Sequence, residues 1–223
     1  MKVGVLGGIG PEATGTFYLK LIAKLQQEGL IQSNKDYPQI IINSIPAKEL
    51  VGTEVGKEDL LLYRKALNEL DKHDPDFIVM VCNTIHLYHE ELQSGIKSEL
   101  VDLREEVKSA LERLGIENIA VMGTPSTVSN GLYEFHGFRY FNPTLTQLDE
   151  LGKAVYNYNR GQDKERQVLT AERIAMDCIA RGAQSLLLAC TEFSLMLSGR
   201  GLPAFDTIDE LVSAVVRRYL AMR

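Results

Sequence analysis

Short apolar runs alternate along this chain with longer stretches whose apolar residues recur every three or four positions. Val3–Leu6, Gln39–Ile45, Phe77–Val81, Asn118–Met122 and Leu186–Ala189 have strand length and are mostly apolar. Such runs suit strands buried on both faces of a sheet. Helical spacing covers Glu12–Glu28, Lys57–Lys72, Thr84–Gln93, Leu103–Leu114, Gln147–Tyr158, Thr170–Arg181 and Ile208–Ala221, and Leu132–Phe138 reads as the start of another helix. Gly29, Gly115 and Gly182 follow three of these segments as stops. Shorter strand ends fall at Val101-Asp102, Phe138–Phe141 and Ala204–Asp206. Alternating strands and helices predict an α/β chain with a parallel sheet and helices on both faces. Ligands of such sheets bind beyond the C-terminal strand ends.

The pattern occurs twice. Asp76-Phe-Ile-Val-Met-Val-Cys82-Asn-Thr84 is an apolar run that stops at a cysteine, and Ser185-Leu-Leu-Leu-Ala-Cys190-Thr-Glu192 repeats it 108 residues later. The first strand and its glycine turn, Val3 to Gly8, return as Asn118 to Gly123-Thr124-Pro125-Ser126-Thr127 at an offset of 116. The expected architecture is therefore two pseudo-symmetric, parallel-sheet α/β half-domains with the site in the cleft between them. The boundaries read as 1–100 plus 207–223 for the first and 101–206 for the second.

Composition narrows the field. The 223 residues are ordinary in hydrophobic content at 45% and carry a net charge of −6, which gives no support for nucleic-acid binding. No apolar run reaches the roughly 18 residues of a membrane span, and the apolar part of the first residues is too short for a signal peptide. Three cysteines form neither a CxxC pair nor a zinc spacing. That count argues against a disulfide framework and fits a reducing cytoplasm, so the expected location is cytoplasmic. No metal site is read from the sequence.

Two features bear chemistry. Gly8-Ile9-Gly10-Pro11-Glu12-Ala13 fits the loose dinucleotide pattern GxGxxA, but the second strand ends in Asn43-Ser44-Ile45-Pro46, without the acidic residue a ribose needs. A turn whose N–H groups meet a carboxylate at a helix start fits better, and a plain tight turn fits as well. The second feature is the cysteine pair. Cys178 sits within Ile174-Ala-Met-Asp-Cys-Ile179 and reads as a small packing residue. Cys82 and Cys190 each end a strand and precede a helix start, which favours a thiolate. One thiol with a histidine would suggest covalent catalysis, and His86 and His89 do follow Cys82, but Cys190 has no such neighbour. Two thiols on opposite sides of one carbon suggest proton removal from one face and delivery to the other, which inverts a stereocentre.

At Leu6-Gly-Gly-Ile-Gly-Pro11, Val81-Cys-Asn-Thr-Ile-His86, Thr124-Pro-Ser-Thr127 with Gly131-Leu-Tyr133, and Ala189-Cys-Thr-Glu192, the chain resembles the aspartate/glutamate racemase superfamily, most closely the aspartate racemases. The resemblance implies a racemase that needs no cofactor and no pyridoxal phosphate, with Cys82 and Cys190 as its acid/base pair, and a homodimer. The expected reaction interconverts L- and D-aspartate, an acidic small-molecule substrate. Gly8, Ile9, Asn83, Thr84, Thr124, Thr127 and Thr191 are the expected donors to the substrate. Glu192 would accept from its ammonium group or orient Thr191. Lys48 and Arg160 would hold the distal carboxylate. Aspartate racemases often carry arginine and lysine where this chain has Lys48 and Arg160, and the two cations are not interchangeable. Racemases of glutamate or hydantoins and maleate isomerase share the pattern. A non-catalytic binding protein for acidic metabolites would need the turns and cations but not the thiols.

Overall fold

The computed structural model describes residues 1–48, 50–52 and 56–222. The chain folds as two compact units. The first comprises Met1–Lys48, Gly56–Leu103 and the chain from Ile208 onward, and the second comprises Arg104–Thr207 with residues 50–52. The segment after β2 thus departs from the 1–100 boundary read from the sequence. Its physical reason is Val51, which packs against the apolar core of the second unit.

In the first unit, β1 (Lys2–Gly7), β2 (Gln39–Ser44), β3 (Phe77–Met80) and β4 (Glu99–Leu100) form a parallel sheet in the order β2-β1-β3-β4. Helices α1 (Pro11–Gln27), α2 (Lys57–Asp71), α3 (His89–Gln93) and, at the far end of the chain, α9 (Thr207–Ala221) accompany it. The intervening helices belong to the second unit. The core strand β3 is buried at every position, as a strand covered on both faces must be. Helix α9 is fastened to this unit by Lys20–Asp209 at 2.7 Å, Arg218–Glu99 at 2.8 Å, and the Tyr219 hydroxyl donating to the Asp36 carbonyl.

The second unit repeats the plan. Strands β5 (Asn118–Met122), β6 (Arg139–Tyr140), β7 (Ser185–Leu188) and β8 (Ala204–Asp206) are parallel in the order β6-β5-β7-β8. Its helices are α4 (Leu103–Arg113), α5 (Pro125–Ser129), α6 (Leu145–Asn159), α7 (Lys164–Ala180) and α8 (Thr191–Leu197). Among the described residues, no helix is long and apolar enough to cross a membrane.

Four local expectations change. Thr84–Gln93 is not one α-helix: Thr84–Tyr88 is a 3₁₀ turn, and only His89–Gln93 is α-helical. Leu132–Phe138 is turns rather than a helix start. Helix α5 was not foreseen, although its signals are present: Thr124 is the N-cap, its hydroxyl accepts from the Thr127 N–H at 3.2 Å, and Pro125 takes the first position. Helix α7 starts at Lys164 rather than Thr170, because Asp163 caps it by accepting from the Arg166 N–H at 3.4 Å.

Candidate functional site

In each sheet the topology marks one crevice. From β1 the chain steps to β2 on one side, then crosses to β3 on the other, so the connections diverge between the ends of β1 and β3. Open α/β sheets bind ligands at this kind of switch point. Leu6 is in register with Met80, and Val81 N–H donates to the Leu6 carbonyl at 2.9 Å, which carries the pairing up to the glycine turn and Cys82. In the second unit Met122 is in register with Leu188, and Ala189 N–H donates to the Met122 carbonyl at 2.8 Å. Thr124 and Cys190 lie two positions beyond that pair. The switch points of both units therefore fall where the sequence placed the turn and the thiol.

The first turn is close-packed. Gly8 has φ +87°, and a Cβ there would lie 2.1 Å from the Ile45 carbonyl oxygen, so only glycine fits. The Gly8 N–H donates to the Thr14 hydroxyl at 3.0 Å, and that hydroxyl donates to the Gly10 carbonyl at 3.1 Å. Gly8's expected role as a substrate donor is thus taken up within the turn in this conformation. Around Cys82, which is buried, Asn83 and Thr84 are buried as well. His86 is wholly buried and stacks on His89, with ring centroids 6.1 Å apart. Asp102, at the end of β4, faces both rings: its oxygens lie 4.0 Å from His86 Nδ1 and 3.8 Å from His89 Nδ1. His89 Nε2 meets the Leu100 carbonyl at 2.8 Å. The histidines therefore share the carboxylate at the next strand end. Together with Glu90, His89 and Asp102 bring three ligand-type atoms within 4.8 Å of one another.

The second thiol has different company. Cys190 is the N-cap residue of α8, and its Sγ donates to Glu192 Oε2 at 2.8 Å. The Thr191 hydroxyl donates to the same oxygen at 3.1 Å, and Asn159 Nδ2 donates to Oε1 at 3.0 Å. Among the described residues these three are the donors to Glu192, a carboxylate only 5% exposed. Glu192 thus takes Thr191, as the sequence suggested, and also the thiol. Thr124 and Thr127 are buried, with their hydroxyls 3.1 Å apart. Beside them Ser126 has a buried hydroxyl without a partner among the described residues. Four residues after Cys190, Ser194 donates to Asp206 at 2.6 Å, as His86, four after Cys82, faces Asp102.

Of the two expected carboxylate binders, Lys48 is exposed and Arg160 is engaged by a neighbouring side chain. The Lys48 side chain is 79% exposed, with Nζ 3.9 Å from Asp59. Arg160 donates to the Tyr156 hydroxyl at 2.5 Å, one helical turn back, and its guanidinium lies over that ring at 5.1 Å. Its neighbour Asn159 is the residue that reaches the thiol's carboxylate, and no sequence signal set Asn159 apart. Cys178 is wholly buried in the second unit's core, and burial pushes its thiol up from the ordinary range, as a packing cysteine requires.

Comparison with known proteins agrees with this layout. The family described as Asp/Glu/Hydantoin racemase matches residues 6–215. The broad specificity amino-acid racemase RacX of Bacillus subtilis (strain 168) is 26% identical, over 98% of each chain. Among solved structures, the Picrophilus torridus aspartate racemase aligns with a TM-score of 0.80 at 22% identity, over 98% of this chain and 94% of that one. An aspartate racemase homologue from Pyrococcus horikoshii OT3 aligns at 0.75 with 23% identity, over 98% of both chains. These structural likenesses extend to the whole two-unit α/β fold.

Proposed function

Because this chain belongs to the Asp/Glu/hydantoin racemase family, we propose that it is an amino-acid racemase interconverting L- and D-aspartate without a cofactor, with Cys82 and Cys190 as its acid/base pair. The observation that supports this reading best is the equivalence of the two thiols. Each follows the central strand of its unit at the topological switch point, and each has a strand-end aspartate facing the residue four positions on. A single catalytic cysteine would not require that duplication.

The chemistry is a proton exchange at Cα. One thiolate takes the α-proton: the C–H bond breaks, an S–H bond forms, and the electron pair passes into the carboxylate. The opposite thiol then delivers its proton to the other face. The α-proton is far less acidic than a thiol of ordinary pKa about 8.5, so the developing enolate needs donors held in place beforehand. Ile9, Asn83, Thr84, Thr124, Thr127 and Thr191 are our candidates, joined by the Ser126 hydroxyl. At Cys190, Glu192 accepts the S–H and is placed to take up or return its proton, while Asn159 and Thr191 hold the carboxylate in that orientation. We include a homodimer in the proposal, and light scattering tests it.

The test is incubation with L-aspartate in deuterated water with no added cofactor, followed by chiral separation and mass measurement. The expected result is D-aspartate carrying α-deuterium. Absence of exchange with aspartate, glutamate and neutral amino acids would overturn the reading. A broader substrate range is the second reading. It is favoured by Arg160 being turned onto Tyr156 rather than being held ready for a distal carboxylate. Comparable kcat/KM for aspartate and for neutral amino acids in the same assay would select it.

A further inference from the structure

The proposed proton exchange gives His89, Glu90 and Asp102 no task, yet one ligand-type atom from each lies within 4.8 Å of the other two. His89 Nε2 meets the Leu100 carbonyl at 2.8 Å, and a carbonyl only accepts, so Nε2 carries the hydrogen. In the neutral ring Nδ1 then presents a lone pair. It faces another acceptor, Asp102 Oδ2, at 3.8 Å, and the Glu90 carboxylate completes the trio. Lone pairs that converge in this way repel unless a positive charge lies among them. A proton on Nδ1 would serve one carboxylate, whereas a metal ion serves all three groups. A histidine that gives its other ring N–H to a backbone carbonyl is also the usual arrangement of a metal ligand.

The second unit shows that the fold itself does not require these groups. There Ser194, the counterpart of His86, donates to Asp206 at 2.6 Å, and Leu197 and Ser198 stand where the first unit has His89 and Glu90. We propose that His89, Glu90 and Asp102 bind one divalent transition-metal ion, Zn²⁺ being the best match to one imidazole nitrogen and two carboxylate oxygens. Atoms no more than 4.8 Å apart lie within about 2.8 Å of a common centre, so a small movement of the exposed Glu90 side chain reaches zinc bond lengths of ~2.0–2.2 Å. The His89 and Asp102 side chains are 12% and 19% exposed, which lets an ion enter from solvent. His86 stacks on His89 and faces the other Asp102 oxygen at 4.0 Å, so it holds both ligands in orientation. The ion ties α3, which follows the turn after Cys82, to the end of β4. This site is independent of the racemase reading and takes no part in the proton transfer.

Calorimetric titration of the chelator-treated full chain with Zn²⁺ tests this. The expected result is one equivalent bound with a micromolar Kd. Thiols also bind zinc, so the same equivalent should survive in the Cys82→Ser/Cys190→Ser chain. Asp102→Asn and His89→Gln should each weaken binding about 100-fold or more, since even an outer-shell partner is worth about 10- to 100-fold. Glu90→Gln changes an exposed side chain, which guards against a folding defect, and should weaken binding about tenfold. Added Zn²⁺ should raise the thermal midpoint of the wild type and leave that of Asp102→Asn where it was. Three results overturn the proposal: no saturable binding below millimolar Zn²⁺, equal affinity in the wild type and all three ligand variants, or loss of binding when the two thiols are replaced.

Discussion

The strand ends at Cys82 and Cys190 share a position in the topology and differ in the structure just beyond each sulfur. After Cys190 the chain enters a true α-helix, α8, with Glu192 in its first turn reaching back to the sulfur. After Cys82 it enters a 3₁₀ turn, Thr84–Tyr88, and the place of Glu192 is taken by Thr84. His86 and His89 face Asp102 there, where the second unit sets Ser194 against Asp206. Duplication thus preserved the frame, and the chemistry around each sulfur diverged. A racemase must act in both directions, but the two thiols we propose as its acid/base pair need not be prepared in the same way.

The comparison can be broken first at the sulfurs. Cys82→Ala and Cys190→Ala should each lower racemisation by about 10³-fold or more, within the range of positioned acid/base groups. Chiral assay in both directions measures it, and an active single variant would mean that only one of the ends matters. Stability separates the turns next. Gly8→Ala forces a side chain onto the Ile45 backbone at positive φ, whereas a Cβ at Gly123 meets the Thr127 side chain at 3.0 Å. Urea unfolding should show losses of about 3 kcal/mol for Gly8→Ala and about 1 kcal/mol for Gly123→Ala. A smaller catalytic contrast is expected at the residues two beyond each sulfur. Glu192→Gln should reduce kcat about 100-fold and Thr84→Ala only about fivefold, because one loses a proton acceptor and the other a neutral donor. Equal losses would mean that the two sulfurs are prepared alike.

The smallest effect concerns acid. Burial raises Asp71, but the Ser98 hydroxyl at 2.6 Å, the Ser98 N–H and the Lys97 N–H outweigh it and hold the carboxyl below its ordinary range. A depressed carboxyl contributes stability above its unfolded pKa and loses it as pH falls through the folded value. Below about pH 4, then, the wild type should lose more stability than Asp71→Asn, the two thermal midpoints converging in a pH series.

Much of the frame was legible because burial on both faces leaves an apolar strand with no alternation, and because the strands ending at the glycine turn and at Cys82 each had a second copy. Phe77–Met80 and Ser185–Leu188 are the clearest cases. The 3₁₀ turn was not legible, since Thr84-Ile-His-Leu-Tyr carries helix-compatible residues and its geometry is fixed by the side chains that pack on it. Asn159 and Ser126 were missed for another reason. Each matters through a side-chain atom whose significance arises from a neighbouring element, and single-sequence spacing carries no record of that neighbour.

The last helix has a consequence for synthesis. Helix α9 completes the first unit, yet it comes after Arg104–Thr207 in the chain. On a ribosome that adds about 5–20 residues per second, the second unit's sheet is available to fold while the first still lacks its closing helix. We expect the first unit to complete its fold after the second. Ile208, Leu211 and Val215, all buried in the finished fold, are then among the last apolar residues that it gains.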